Sequence, residues 1–230
     1  MQVVLMWTEQ LIFIIEIIGT IAFAISGAMV AIKKEMDVLG VVFLGIITAV
    51  GGGVTRDLIL GITPPTTFTK PIFAIVAIVT SILVFLPWVQ KFFAKNHKFY
   101  ESTLFIADSL GLAIFTVNGI SVAHSVGFVN NIMLLLFVGV VTGCGGGVLR
   151  DVLAGDRPYI FVKHFYACAS LIGGAVCCLL WQYAGGMYAL SIGSVVIITL
   201  RILAARFRWS LPKTHISEQS GLENQNKIGE

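Results

Sequence analysis

Gly51-Gly52-Gly53-Val54-Thr55-Arg56-Asp57-Leu58 decides how this chain must be read, because Gly145-Gly146-Gly147-Val148-Leu149-Arg150-Asp151-Val152 repeats it in the second half. Each copy sets three glycines and then an Arg-Asp pair inside an otherwise apolar segment. Glycine costs a helix about 1 kcal/mol relative to alanine, and an ionisable side chain at the centre of a membrane helix costs at least about 2.5 kcal/mol. A helix that only faced lipid would keep neither feature. The two copies therefore read as the lining of a polar path through a membrane.

The rest of the chain fits that setting. Of 230 residues, 57% are hydrophobic and 12% charged, whereas a soluble domain carries about 25% charge. So much apolar surface implies an integral membrane protein. The formal net charge of +3 comes from Lys and Arg in short loops and the tail, where they orient helices. They do not cluster into a basic face, so no nucleic-acid partner is expected. Cys144, Cys168, Cys177 and Cys178 all fall in apolar segments. None stands at metal-ligand spacing from His97, His124, His164 or His215, which argues against a metal site or a disulfide framework. With no P-loop, nucleophile elbow or paired-histidine motif, the sequence offers no address for enzyme chemistry.

The motif segments are the second and fifth of seven apolar stretches, at about 11–32, 38–60, 71–90, 102–123, 131–153, 164–183 and 187–205. The first follows no Lys or Arg and precedes no small-residue cleavage signal, so it reads as a retained membrane helix. Pro64-Pro65 and Asp156-Arg157-Pro158 close the two motif segments, and Trp88 marks an interfacial end of the third. Residues 1–209 make one transmembrane domain: a first repeat at about 11–90, a second at about 102–183, and a seventh helix at about 187–205 that packs on the flank. Residues 210–230 form a polar tail, expected to be disordered and cytoplasmic. Lys33, Lys34, Lys91, Lys95, Lys98, Arg157, Lys163, Arg206, Arg208 and Lys213 fall in alternate connections, with little beyond Lys70 in the others. The positive-inside rule then puts the N-terminus outside and the C-terminus in the cytoplasm.

The duplication extends past the glycines. Glu16, Gly19, Phe23, Ser26, Gly27 and Ala31 fall on Asp108, Gly111, Phe115, Asn118, Gly119 and Ala123, while Gly45 and Thr48 fall on Gly139 and Thr142. Each unit contributes three crossings, an odd number, so the copies enter the membrane from opposite sides. The expected fold is an all-α membrane protein of seven transmembrane helices: an inverted repeat of two three-helix bundles plus a C-terminal seventh helix. Parity sets Glu16 at the depth of Arg56 and Asp57 toward one face, and Asp108 at the depth of Arg150 and Asp151 toward the other. Neighbouring residues on a helix point about 100° apart. The expected buried pairs are accordingly Arg56 with Glu16 and Arg150 with Asp108, rather than each Arg with the adjacent Asp.

The glycines allow two readings. One is close helix packing through small residues. The other, favoured by the matched placement, is a break that frees backbone carbonyls toward a polar cavity, where they replace water around a cation. Ser26, Thr48, Asn118 and Thr142 would add oxygens at related depth, or else satisfy themselves within their own helices.

In its doubled triple-glycine and Arg-Asp signature, with two three-helix repeats followed by a seventh helix, the sequence resembles the trimeric intracellular cation (TRIC) channel family in its prokaryotic form. The resemblance covers about residues 11–206. It implies a homotrimer with a pore in each protomer, lined by the second and fifth helices bent at Gly51–Gly53 and Gly145–Gly147, and conducting monovalent cations, chiefly potassium. It implies no cofactor beyond permeant K+ or Na+ and bound membrane lipid. The fourth stretch, 102–123, departs from the animal members in having no basic residue where those carry a lysine linked to voltage sensing. The short tail lacks their long basic extension and points to a prokaryotic inner membrane. The competing expectation is a secondary transporter for a small zwitterion such as glycine, since an inverted repeat with an Arg and a carboxylate at each mouth suits alternating access equally well.

Overall fold

The structure, a computed structural model, describes residues 2–162 and 165–209. Lys163, His164 and the tail from Ser210, including Lys213, lie outside the described residues. The first repeat comprises α1 (Gln2–Lys33), α2 (Val38–Ile59), the short α3 (Thr66–Thr69), α4 (Ile72–Phe85) and α5 (Pro87–Lys95). The second comprises α6 (His97–Ser125), α7 (Ile132–Leu153), the short α8 (Tyr159–Val162) and α9 (Tyr166–Ala184), followed by α10 (Gly186–Arg206).

The motif helices α2 and α7 begin and end alike. Asp37 Oδ1 accepts the Gly40 amide at 2.8 Å, and Asn131 Oδ1 accepts that of Leu134 at 3.0 Å. Both are side-chain N-caps that satisfy otherwise orphaned donors. At the other end Gly61 and Gly155 take φ of 73° and 72°. There the Ile62 and Asp156 amides reach back to the carbonyls of Asp57 and Asp151, at 2.8 Å each. This is the Schellman closure, for which glycine is the cheapest residue. The 22 residues of each helix extend about 33 Å, enough to cross a hydrocarbon core of about 30 Å.

Among the described residues six helices are long and apolar enough to span a membrane, and α4 and α5 counted together make a seventh candidate span. The expected single helix over 71–90 is corrected here. It stops at Phe85, and α5 leaves at 67° to it. Pro87 has no amide proton and disfavours helical backbone at the residue before it; Leu86 accordingly sits at φ −56°, ψ 137°. α1 and α6 also begin earlier than expected, at Gln2 and His97 rather than at about 11 and 102, while the bounds of α2, α7, α9 and α10 fall within a few residues of those expected.

Within the first repeat α1, α2 and α4 pack together; within the second, α6, α7 and α9 do so. The halves join through α1 on α6 and α2 on α7, and α10 packs on α9 and α6. At the α2–α7 crossing a Cβ on Gly52 would run into the Thr142 carbonyl, one on Gly146 into the Thr48 carbonyl, and one on Gly145 would lie 3.3 Å from the Gly52 Cα. Backbone meets backbone with no side chain between. This corrects the expected break: α2 and α7 run as unbroken α-helix through both triads, and their carbonyls stay in the helical ladder. Close packing through small residues, the other reading, is what the middle glycines provide.

Beside this crossing Phe23 and Phe115, equivalent in the repeat, stack with centroids 5.3 Å apart. Phe23 lies on Gly111 and Phe115 on Gly19, so each ring occupies space that a glycine of the opposite repeat leaves open. Large apolar side chains such as Leu39, Phe43, Val79 and Val195 point outward, as a lipid-facing surface requires. Three connections share one face. Lys34 Nζ lies 2.6 Å from Asp156 Oδ1, and Lys33 lines a groove with Lys91 and His97.

Replacing Gly52 or Gly146 with alanine is expected to cost about 1–3 kcal/mol through overpacking against backbone that cannot yield. Gly53→Ala should be tolerated, since the nearest atom would be 3.9 Å away. Thermal unfolding of the three variants in detergent distinguishes a close-packed crossing from a flexible one.

Candidate functional site

Each motif ends in an Arg that the fold carries inside. Arg150 is fully buried and Arg56 is 6% exposed. A charge so placed must be compensated, since an unpaired ion in the interior costs several kcal/mol.

Arg150 is compensated from both repeats. Its Nη1 lies 2.7 Å from Asp108 Oδ1 on α6, its Nε donates to Asp151 Oδ1 at 2.8 Å, and Nη1 also bonds the Ser26 hydroxyl on α1. The guanidinium lies 4.9 Å from the centre of the Tyr159 ring. The Arg150–Asp108 pair is where parity put it; the additional pairing with Asp151 is not.

Arg56 departs from expectation. Its Nε and Nη2 reach Asp57 Oδ1 at 2.8 and 2.7 Å, and among the described residues it forms no ion pair with Glu16. The 100° argument applies to Cβ directions. Three flexible methylenes let the guanidinium curl back to an adjacent carboxylate that is itself held in place. In both repeats the holding group is the same. Asp57 Oδ2 accepts the Thr66 amide at 2.6 Å, and Asp151 Oδ2 accepts the Tyr159 amide at 2.8 Å. Each aspartate thus binds its arginine with one oxygen and the first residue of a short helix with the other.

Of the polar residues expected beside a path, Ser26 is bonded to Arg150. Thr48 and Thr142 are buried and donate to the carbonyls of Leu44 and Val138 at 2.6 Å each. They face Gly27 and Gly119, at the packing of α1 on α2 and of α6 on α7. These two hydroxyls are therefore satisfied within their own helices.

Two cavities have polar linings, one reaching Phe115 of the aromatic stack and one holding Asp108, a helical turn from the Gly111 that Phe23 covers. The first, about 180 Å³, is lined by Glu16, Thr20, Gly53, Arg56, Lys70 and Asn118, with Phe115 at its inner wall. The second, about 230 Å³, is lined by Glu101, Phe105, Asp108, Tyr159 and Arg201.

Arg201 lies outside the duplicated pattern and joins the site from α10. It stands on α10, 3% exposed, with Nη2 3.6 Å from Asp108 Oδ2 and Nε 3.3 Å from Ser109 Oγ. Its signal was present, because a lone arginine in an apolar span is costly and so marks a buried partner.

Two inverted three-helix units joined at a small-residue crossing, each with an arginine buried on an acid, define a multi-pass membrane protein of the inverted-repeat class. A family model described as "Glycine transporter" matches residues 13–88 and 105–182, one match on each repeat. The chain is 36% identical to the inner membrane protein YadS of Escherichia coli, over 91% of this chain and 99% of that one. It is 34% identical to the membrane protein YvgT of Bacillus subtilis, over 86% and 94%. Among solved structures, one described under conductance through TRIC cation channels is 40% identical, with a TM-score of 0.78 over 89% of this chain and 97% of that one. The TRIC orthologue from Rhodobacter sphaeroides is 32% identical, with a TM-score of 0.78 over 86% and 99%. The chain belongs to the trimeric intracellular cation channel family. These relatives are channels and membrane proteins rather than enzymes.

The pairing pattern predicts unequal costs. Asp108→Ala should destabilise by about 3–5 kcal/mol by stripping a partner from a fully buried arginine. Glu16→Ala should cost under about 1 kcal/mol, as for an acid without a close ion pair. Unfolding midpoints of the two purified variants check the difference.

Proposed function

We propose that this protein is a cation channel, permeable to potassium and other monovalent cations, with a conduction route in each protomer. The route runs from the Glu16–Arg56 cavity along the α2–α7 crossing to the Asp108–Arg201 cavity. The observation that carries this reading is a polar-lined cavity at the seam between inverted repeats, holding Glu16, Gly53, Arg56 and Asn118, with a second around Asp108, the repeat equivalent of Glu16; permeation and transport sites are built between such repeats. The likeness to solved TRIC cation channels supports it. On this reading the route passes the Phe23–Phe115 stack, which borders the first cavity, and conduction requires that stack to part. Because both arginines are bound to acids, neither presents an uncompensated positive charge to a cation.

The same reading takes the protein to be a homotrimer in a prokaryotic inner membrane, with its N-terminus outside. The basic connections at Lys33–Lys34 and Lys91, on one face with the loop holding Asp156, favour that face as cytoplasmic. Bound lipid is its expected neighbour on the outward apolar faces.

A zwitterion transporter is the second reading, favoured by the description of the family model that matches both repeats. Liposomes holding the purified protein separate the two. The channel reading expects potassium flux well above chloride flux and no saturable glycine uptake. Chloride exceeding potassium would sink the cation claim, and glycine uptake that saturates without resolved unitary currents would replace the channel with a carrier.

A further inference from the structure

The two cavities hold acids related by the repeat, Glu16 and Asp108, in unlike surroundings. In the first, Glu16 is half-buried and opens into the same space as Gly53, Arg56 and Asn118. In the second, its counterpart Asp108 is 1% exposed, with Arg150 on one oxygen at 2.7 Å and Arg201 near the other at 3.6 Å. The third glycines show the same contrast. A Cβ on Gly53 would find only Arg56 Nη2, at 3.9 Å, whereas one on Gly147 would find the Tyr166 hydroxyl at 3.0 Å, Arg150 Nη2 at 3.7 Å and Asp108 Oδ1 at 3.8 Å. Space left open in the first half is filled in the second.

What fills it comes from α9 and α10, and α10 has no counterpart in the first repeat. The Arg201 guanidinium lies between two rings, 4.9 Å from the centre of Phe105 and 4.8 Å from that of Tyr166. A planar cation bracketed in this way is held in place by both rings. The first cavity also has a second cation, Lys70, but that side chain is exposed at the rim, where salt and water screen it. Arg201 is inside, where the effective dielectric is lower and a unit charge reaches further.

We propose that Arg201 is the charge that limits cation passage: a fixed cation on the unrepeated helix that covers Asp108 and makes the second cavity the higher electrostatic barrier, so that the two mouths of the route are electrically unequal. The proposal rests on the cation-channel reading. Arg150 does not serve this role, because it is fully buried and the cavity wall is formed by Arg201. Glu101 lines this cavity from an exposed position, screened as Lys70 is in the first. Inside, two arginines face Asp108 and Asp151 with Arg201 present; without it one arginine faces two, and the interior becomes cation-attracting.

Planar-bilayer recording of the purified full chain in KCl, comparing wild type with Arg201→Gln, Arg201→Lys and Ala205→Glu, tests this. Arg201→Gln should raise unitary potassium conductance by about tenfold, the effect of lowering a barrier by about 1.4 kcal/mol. It should also reduce the difference between currents at the two polarities and move the reversal potential in a KCl gradient toward that of potassium. Arg201→Lys keeps the charge and should stay near wild type. Ala205→Glu places a carboxylate in the same cavity, one turn from an intact Arg201, and should shift conductance in the same direction as Arg201→Gln even if the latter does not fold. A purely structural arginine would change thermal stability or open probability in both Arg201 variants without moving the reversal potential, and that result overturns the proposal. Wild-type conductance in a folded Arg201→Gln, or in Ala205→Glu, does likewise. Wild-type protein with no potassium current at all would refute the channel reading itself, and this inference with it.

Discussion

Two helix backbones meet at Gly52 and Gly146 with nothing between them, and every other arrangement in the molecule follows from how near that lets α2 and α7 come. In lipid there is no hydrophobic force drawing helices together, because the tails are as apolar as leucine. Association depends on contact area and on polar bonds across the seam, and both grow as the axes approach. The close crossing brings α1 against α6 and lets Phe23 and Phe115 settle over Gly111 and Gly19. It also carries Ser26 of one half to within bonding distance of Arg150 in the other.

The buried arginines depend on that closeness. A membrane interior tolerates Arg150 only because an acid from its own helix, an acid from α6, a hydroxyl from α1 and an aromatic face all converge on it. A looser seam would admit water or leave the cation unpaired. The glycines and the Arg-Asp pair are therefore parts of one device: the first removes bulk, and the second uses the proximity gained.

Much of this was legible before any coordinates. The spans, the duplication and the odd parity follow from composition, from proline and glycine punctuation, and from matched spacing. The pair Arg150–Asp108 follows from depth alone. The adjacent Arg-Asp bonds did not, because sequence spacing fixes where Cβ atoms point and says little about where a long guanidinium ends. Nor did the unbroken helices: three glycines lower helical propensity, yet a surrounding without water keeps the ladder bonded. Pro87 was visible and its consequence was not drawn, since an apolar run of suitable length outweighed it. Arg201 is not marked by the repeat, because it stands on the helix outside it and has no counterpart there.

Asp57 and Asp151 each hold an arginine inside the bilayer with one oxygen and a surface helix with the other. One side chain thereby joins the depth of the membrane to its boundary with water, once in each half. Anything that shifts α3 or α8, whether headgroup composition, ionic strength or a touching neighbour, pulls on the same carboxylate that steadies the guanidinium below. The distance from a connecting helix to a buried charge is, in each half, one carboxylate.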